Sequence, residues 1–163
     1  MKMKKTLSAE AALTRAAALC ARSEQAESDV RAKLLAWGLT PASAAQVIER
    51  LQDEHFLDEQ RYARAYCRDK FNFNGWGRIK IAFMLKSKGV GQTAIDAALA
   101  EIDAARYREH IDKLLRDKWR DVAGKDPRLA RAALLRLAAS RGYEPDAIYP
   151  AVDAFMATTG SKS

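Results

Sequence analysis

The chain has 163 residues, of which 48% are hydrophobic, so it is long enough to bury a core as one domain or a short array of small ones. Gly and Pro are sparse and no run alternates Val or Ile with polar residues, which excludes a sheet-based fold and favours helices. No apolar run is long enough to cross a membrane, and the basic start at residues 1–5 is followed by Glu10 and Arg15 instead of an unbroken apolar segment. We therefore expect a cytoplasmic protein without a secretory signal.

The formal charge of +7 is concentrated in the middle of the sequence. Residues 61–93 hold eight Lys or Arg and one acid, Asp69, whereas the remaining residues carry 20 bases and 20 acids, which cancel. A basic block of this kind attracts polyanions such as nucleic acids. The alternative interpretation is a solvated helical face that serves solubility alone.

The sequence contains few residues of the kinds that catalysis or metal binding requires. Cys20 and Cys67 form no CxxC pattern, and His55 and His110 are equally isolated, so we predict no metal, no cofactor and two reduced, partly buried thiols. The acidic segment 53–59 could suggest the metal site of a nuclease. Its acidic residues instead fit the end of one helix and the start of the next. No general base or lysine lies at a recognisable catalytic spacing from them. We therefore predict that the protein is not an enzyme.

Three helical units follow one another along the chain, each with a leading helix, a middle helix and a third helix. In chain order, the leading helices are predicted at residues 8–22, 58–72 and 104–120. Each middle helix ends at a glycine, and these glycines lie 51 and 53 residues apart: Gly38, Gly89 and Gly142. Thr40-Pro41 and Glu144-Pro145 place Pro at the first position of a third helix, where it is favoured. Asp58 suits the N-cap of the second leading helix.

Apolar residues recur at fixed distances from the three glycines. They stand eight positions before, directly after, ten after and thirteen after each glycine: Val30, Ile81, Leu134; Leu39, Val90, Tyr143; Ile48, Leu99, Val152; Leu51, Ile102, Phe155. Agreement at four offsets in three copies indicates a degenerate triple repeat. We predict an all-α chain of three tandem three-helix repeats, 1–56, 57–103 (basic) and 104–157, stacked into an elongated, curved array. A flexible tail is expected at residues 158–163.

Three segments resemble the RecX family, the bacterial regulators of the RecA recombinase. They are SEQAESDVRAKLLAWG at 23–38, RLQDEHFLDEQRYARAYCRDK at 50–70 and GWGRIKIAFMLKSKGV at 75–90. The resemblance covers roughly residues 11–157 and is most specific over 50–90. Met84 departs from it, because many relatives have Glu there, and the third repeat matches only loosely.

The resemblance implies a monomeric regulator without enzymatic activity, involved in homologous recombination, DNA repair and the SOS response. Such a protein binds RecA nucleoprotein filaments along their groove and inhibits strand exchange, ATP hydrolysis and repressor cleavage. Contact with single- and double-stranded DNA is also implied, and no cofactor is.

The candidate residues for RecA or DNA binding lie in the basic block. Three arginines are spaced three and four residues apart, which places them on one face of the leading helix, and four more cations frame the next helix. The set comprises Arg61, Arg64, Arg68, Lys70, Trp76, Arg78, Lys80, Lys86 and Lys88. Trp76 lies between two glycines at a helix start, where its ring could be packed or presented. Tyr62 and Tyr66 could stack on bases, although their helical spacing favours the core.

Other binding functions are compatible with the residues alone. A sequence-nonspecific DNA-binding protein would use the same cations, and a helix-turn-helix transcription regulator can be built from three-helix units. Against the regulator, no middle helix carries a set of Asn, Gln and Arg suited to base edges, and the nearest polar candidate, Gln92, lies at a turn. A protein scaffold is the third alternative and predicts no salt-dependent DNA binding.

Overall fold

The computed structural model describes residues 6–160, and every regular element in this range is an α-helix. The helices are α1 (Ala9–Arg22), α2 (Glu27–Ala36), α3 (Pro41–Asp53), α4 (Glu59–Asn74), α5 (Arg78–Ser87), α6 (Gln92–Ala100), α7 (Ala104–Val122), α8 (Pro127–Ser140) and α9 (Pro145–Gly160). The predicted all-α class and its repeated three-helix pattern are confirmed. The basic start at 1–5 and residues 161–163 of the predicted tail lie outside the described range, whereas Thr158 and Thr159 belong to α9.

Two helices begin at capping residues that the sequence indicated, Thr40 and Asp58. The Thr40 hydroxyl accepts a hydrogen bond from the backbone N–H of Ser43 at 3.2 Å, and Pro41 opens α3. The Asp58 carboxylate accepts from the N–H of Arg61 at 2.9 Å at the start of α4. Each such cap satisfies a backbone donor that the helix leaves unpaired and contributes about 1 kcal/mol.

The three repeat glycines end their helices in the left-handed conformation, with φ angles of 96°, 83° and 91° at Gly38, Gly89 and Gly142. The residue after each glycine donates its N–H to a carbonyl five positions earlier, at distances of 3.1–3.2 Å. The side chains of these following residues are all buried: Leu39, Val90 and Tyr143. Each turn therefore returns the chain onto the helix it has just left, as the repeat predicted.

The chain divides into two compact units, and each has its own apolar interior. Unit 1 comprises Met1–Tyr66 and Leu85–Ala98, and unit 2 comprises Cys67–Met84 and Leu99–Ser163. In unit 1, α1 packs on α3 and α2 on α3; in unit 2, α7, α8 and α9 pack on one another. The fully buried side chains include Leu34 and Leu51 in unit 1 and Ile111, Leu115 and Leu134 in unit 2. Burial of each contributes about 1.5–3 kcal/mol, so these helices are held by packing as well as by local propensity.

Cys20 and Cys67 are both buried, and no disulfide joins them. Burial raises the pKa of Cys67 to about 11 and also raises the pKa of Cys20. Because the thiolate is the reactive form, neither residue is prepared for nucleophilic chemistry at neutral pH.

Candidate nucleic-acid interface

The Gly-Trp-Gly segment at 75–77 is fixed by backbone hydrogen bonds to the turn between α8 and α9. Gly77 donates its N–H to the carbonyl of Arg141 at 2.8 Å, and Ile79 donates to the carbonyl of Gly142 at 2.9 Å. A Cβ atom on Gly77 would lie 2.5 Å from the carbonyl group of Gly142, so only glycine fits there. The segment thus holds the start of α5 at a defined position in unit 2.

The end of α4 is held at the same turn. Gly75 is in the left-handed conformation, with φ of 68°, and its carbonyl accepts a hydrogen bond from the Tyr143 hydroxyl at 2.7 Å. Gly75 is thus the position where the chain leaves α4 and turns toward α5. Trp76 stands between these two anchored glycines and is presented from a rigid backbone.

Two lysines lie over the Trp76 ring. The Lys70 ammonium is 5.0 Å and the Lys80 ammonium 4.5 Å from the ring centroid, and the indole is half-buried. The negative face of an indole attracts a cation by about 0.5–1 kcal/mol at exposed sites. Trp76 therefore has both a packing role and a role in concentrating positive charge.

Arg78 belongs to an internal polar network of unit 2. Its guanidinium forms an ion pair with Glu144 at 3.3 Å and lies 4.1 Å from the centroid of the Tyr107 ring. The backbone N–H of Arg78 donates to the Tyr107 hydroxyl at 3.0 Å, and that hydroxyl in turn donates to Glu144. The predicted binding residue Arg78 thus joins α5 to α7 and to the α8–α9 turn.

Three buried tyrosines make the stability of the fold depend on alkaline pH. Burial raises the pKa of Tyr62 and of Tyr143 to about 12, and burial together with Glu144 raises the pKa of Tyr107 further. The folded state keeps these phenols protonated, whereas the unfolded chain releases their protons near pH 10. Stability from this source is therefore complete below about pH 10 and is lost as the pH rises towards the folded-state pKa.

We expect the free energy of unfolding to fall above about pH 10 by up to about 1.4 kcal/mol per pH unit for each of these tyrosines. Urea unfolding at a series of alkaline pH values measures the slope. Tyr107→Phe should reduce it, whereas Tyr149→Phe, at an exposed position, is the matched control and should leave it unchanged. Equal slopes in wild type and Tyr107→Phe would show that the Tyr107 phenol contributes nothing to the pH dependence.

Two of the predicted binding cations form ion pairs within unit 1. The Arg61 guanidinium lies 2.5 Å from Glu24 and also donates to the carbonyl of His55 at 3.0 Å, which fixes the connection between α3 and α4. The Lys88 ammonium is bound to both carboxylate oxygens of Asp29, at 3.1 and 3.2 Å. Arg61 and Lys88 therefore have acidic partners within unit 1 while their side chains stay partly exposed.

The other predicted cations reach solvent. Arg64, Arg68 and Lys86 are exposed, and Lys70 and Lys80 are half-buried beside Trp76. Arg64 and Arg68 are four residues apart on α4, so they share a face of that helix. We name Arg64, Arg68, Lys70, Trp76, Lys80 and Lys86 the basic surface set, of which Arg64 and Lys86 belong to unit 1 and the other four to unit 2.

The other aromatic candidates pack inside their units. Tyr62 is buried and its ring centroid is 5.9 Å from that of half-buried Tyr66, so the core role favoured by helical spacing applies to Tyr62. Trp37 packs against the core of unit 1, and Trp119 meets Phe155 edge to face at 5.5 Å in unit 2. Base stacking is therefore not available to Tyr62.

Comparison with known proteins identifies the family. A sequence profile of the second three-helix domain of RecX matches residues 58–99. The "Regulatory protein RecX" of Mycolicibacterium vanbaalenii is 34% identical over 153 residues, covering 87% of this chain and 83% of that protein. The protein of the same name from Xanthomonas axonopodis pv. citri is 33% identical over 135 residues, covering 82% and 81%. The chain belongs to the RecX family.

Solved RecX structures have the same fold. The crystal structure of RecX from Lactobacillus salivarius gives a TM-score of 0.83 at 17% identity and covers 90% of this chain and 95% of its own. A second crystal structure of regulatory protein RecX gives a TM-score of 0.78 at 22% identity, covering 85% and 68%. Since identities are this low, the likeness concerns the fold. The sequence-based family assignment is confirmed.

The RecX profile spans every predicted binding residue, because all nine lie between residues 61 and 88. Within the described range of this RecX chain, no group of three His, Cys, Asp or Glu side chains is placed to hold a metal ion. None of the helices between residues 6 and 160 is both long and apolar enough to span a membrane.

Proposed function

We propose that this chain regulates the RecA recombinase by binding RecA–DNA filaments and restraining their recombinase, ATPase and coprotease activities. The observation that carries the proposal is its sequence similarity to proteins named regulatory protein RecX over more than four-fifths of their length. In this role the chain acts as a cytoplasmic monomer in homologous recombination, DNA repair and the SOS response. It performs no chemistry of its own and needs no cofactor.

The basic surface set supports a filament partner. A RecA–DNA filament presents phosphates, and cations that extend from helices into solvent can contact such groups without discriminating between sequences. The two cations held over Trp76 and the exposed pair on α4 offer charge at positions fixed by the fold. Such contacts make affinity fall steeply with salt, because each neutralised phosphate releases counterions.

The alternative supported by the same cations is a sequence-nonspecific DNA-binding protein that competes with RecA for the strand. The two functions differ in stoichiometry. A competitor must cover the DNA, whereas a protein that acts on filaments or on their growing ends inhibits many RecA subunits with one copy.

ATP hydrolysis by RecA from the same organism on single-stranded DNA tests the proposal. We expect strong inhibition when this protein is present well below one copy per RecA subunit. Inhibition that appears only near saturation of the DNA, and that is relieved by adding more DNA, would support the competitor. Hydrolysis unchanged at every ratio would contradict the proposed function while leaving the family assignment intact.

A further inference from the structure

Unit 2 contains an open cavity of about 390 Å³ at the end of α4, separate from the ring face of Trp76 on which the lysines lie. We call it the Phe73 pocket and define it by Asn72, Phe73, Asn74, His110, Lys113 and Arg141. Its volume lies within the range of about 300–1,000 Å³ that is usual for small-molecule sites. Its walls combine an aromatic ring, amides and cations.

Phe73 is the most exposed of the large hydrophobic side chains in the described range, with 83% of its surface accessible. Phe71, two residues earlier on α4, is buried and stacks on Tyr107 and His110. Because α4 ends at a turn held by the Tyr143 hydroxyl, the Phe73 ring is carried by fixed backbone. An aromatic ring held in water in this way offers a face for stacking.

Polar groups that can bind the edge of a flat ligand flank this ring. The Asn72 side-chain carbonyl accepts a hydrogen bond from Arg106 at 3.0 Å, which orients the amide and leaves its NH₂ group as a donor. Asn74 is exposed and presents both a donor and an acceptor. His110 is stacked at 4.1 Å on Phe71, and burial lowers its pKa, so its imidazole is neutral at pH 7 and also offers one donor and one acceptor.

Two cations lie at the rim of the pocket. Lys113 extends from α7 with 74% of its side chain exposed, and Arg141 is exposed at the α8–α9 turn. Asp117 lies 3.8 Å from the Lys113 ammonium, but an ion pair so exposed contributes little and yields readily to a phosphate. The rim therefore suits anionic groups on either side of a flat, hydrogen-bonding ring.

We propose that the Phe73 pocket binds one unstacked base of a single-stranded nucleic acid. Phe73 stacks on the base, the Asn72 and Asn74 amides bind its edge, and Lys113 and Arg141 contact the neighbouring phosphates. A base in a duplex has both faces stacked and its pairing edge occupied, so the pocket selects single strands. The inference rests on the proposed function in one respect, since the DNA handled by RecA is the source of the strand.

An acidic protein segment fits the pocket less well. Carboxylates would satisfy Lys113 and Arg141, but they would leave the Phe73 ring and the Asn74 amide without partners. The aromatic ring and the two amides are the groups that favour a base over a peptide.

Fluorescence anisotropy with a labelled strand of about 15 thymidines and with a duplex of equal length tests the pocket. We expect Phe73→Ala to weaken binding of the single strand by about 5- to 150-fold, which is the usual effect of removing one stacked aromatic side chain. Duplex binding should change by no more than about twofold, because it depends on phosphate contacts. Phe83→Ala is the matched control, since Phe83 is 69% exposed but does not line the pocket.

Asp117→Asn provides a change in the opposite direction. Removing the carboxylate beside Lys113 should strengthen binding of the single strand by about two- to fivefold, because one charge that repels phosphates is lost. Photocrosslinking to a DNA strand that contains 5-iodo-2′-deoxyuridine should label Phe73 in the wild-type chain. An RNA strand of matching sequence distinguishes DNA from RNA as the source.

Equal effects of Phe73→Ala and Phe83→Ala on the single strand would overturn the pocket assignment, as would a crosslink confined to other peptides. Equal weakening of single strand and duplex would also overturn it. These results are separate from the RecA assay. If hydrolysis by RecA is unaffected while Phe73→Ala selectively weakens single-strand binding, the proposed function fails and the pocket stands.

Discussion

Reversing the charge of Arg64, Arg68 and Lys80 together is expected to weaken DNA binding by about 100-fold near 100 mM salt and to abolish the inhibition of RecA. Each phosphate contact contributes about −0.9 to the slope of log affinity against log salt on duplex DNA, so three contacts account for about −2.7. Replacing the same three residues by Gln tests the number of phosphate contacts, since loss of all three should make this slope shallower by about 2.7. Affinity measured from about 50 to about 200 mM salt gives both quantities.

The fold should tolerate the reversed triple. Arg64 and Arg68 are exposed on α4, and the contact that Lys80 makes with Trp76 is worth about 0.5–1 kcal/mol, so helical content by circular dichroism should be unchanged. The matched control reverses Arg116, Arg120 and Arg128, three exposed arginines outside the basic block, and changes the net charge by the same amount.

The control variant separates local contact from net charge. If it weakens DNA binding as much as the Arg64, Arg68 and Lys80 triple does, the effect arises from the field of the whole chain, and the placement of the surface on the basic block is wrong. If the variant with reversed charges at Arg64, Arg68 and Lys80 is folded and still inhibits RecA as strongly as wild type, the placement of the binding surface on the basic block is also wrong.

The sequence predicted the helices well because their signals are local. The leading helices predicted at 8–22, 58–72 and 104–120 begin and end within two residues of α1, α4 and α7. Capping residues, prolines at first positions and glycines with left-handed geometry act on their immediate neighbours and can be read without tertiary information. The apolar residues at fixed distances from the three glycines could be recognised for the same reason, since each distance follows the period of a helix next to its glycine.

The role of each cation could not be predicted from spacing. A cation on a helix face has the same sequence pattern whether it contacts solvent or an acid supplied by another repeat. The deciding partners are 37, 59 and 66 residues away: Glu24 for Arg61, Asp29 for Lys88 and Glu144 for Arg78. Such pairs arise only when the repeats pack, so spacing alone could not show that these three cations have acidic partners.

The sequence contains a weak indication of the Phe73 pocket, which the sequence analysis missed because it concentrated on the cations of the basic block. Three of the buried positions of α4, Ala63, Cys67 and Phe71, follow a four-residue spacing, and Phe73 lies out of phase with them. A phenylalanine outside the apolar stripe of an amphipathic helix indicates an exposed ring. The walls contributed by α7 and by the α8–α9 turn had no signal in the sequence, because only the packing of unit 2 brings them to the end of α4.

Gly77→Ala is expected to lower the free energy of unfolding by about 1–3 kcal/mol and the melting temperature by roughly 2–12 °C. The added Cβ would lie 2.5 Å from the backbone carbonyl of Gly142 and from the N–H of Tyr143. Backbone atoms cannot rotate away as a flexible side chain can, so the turn must move and its hydrogen bonds to Gly77 and Ile79 must weaken.

Gly124→Ala is the matched control for this substitution, because a Cβ there meets nothing within 4 Å and Gly124 does not have a positive φ angle. We expect its stability to stay within about 0.5 kcal/mol of wild type. Thermal unfolding followed by Trp fluorescence measures both variants, and the effect of Gly77→Ala should extend to Trp76, whose position depends on the same turn. If Gly77→Ala has the same melting temperature as wild type, the Gly-Trp-Gly segment is not held against the α8–α9 turn. In that case Gly77, which precedes α5, would allow a partner to approach instead of stabilising the fold. Gly77→Ala would then have to weaken filament binding.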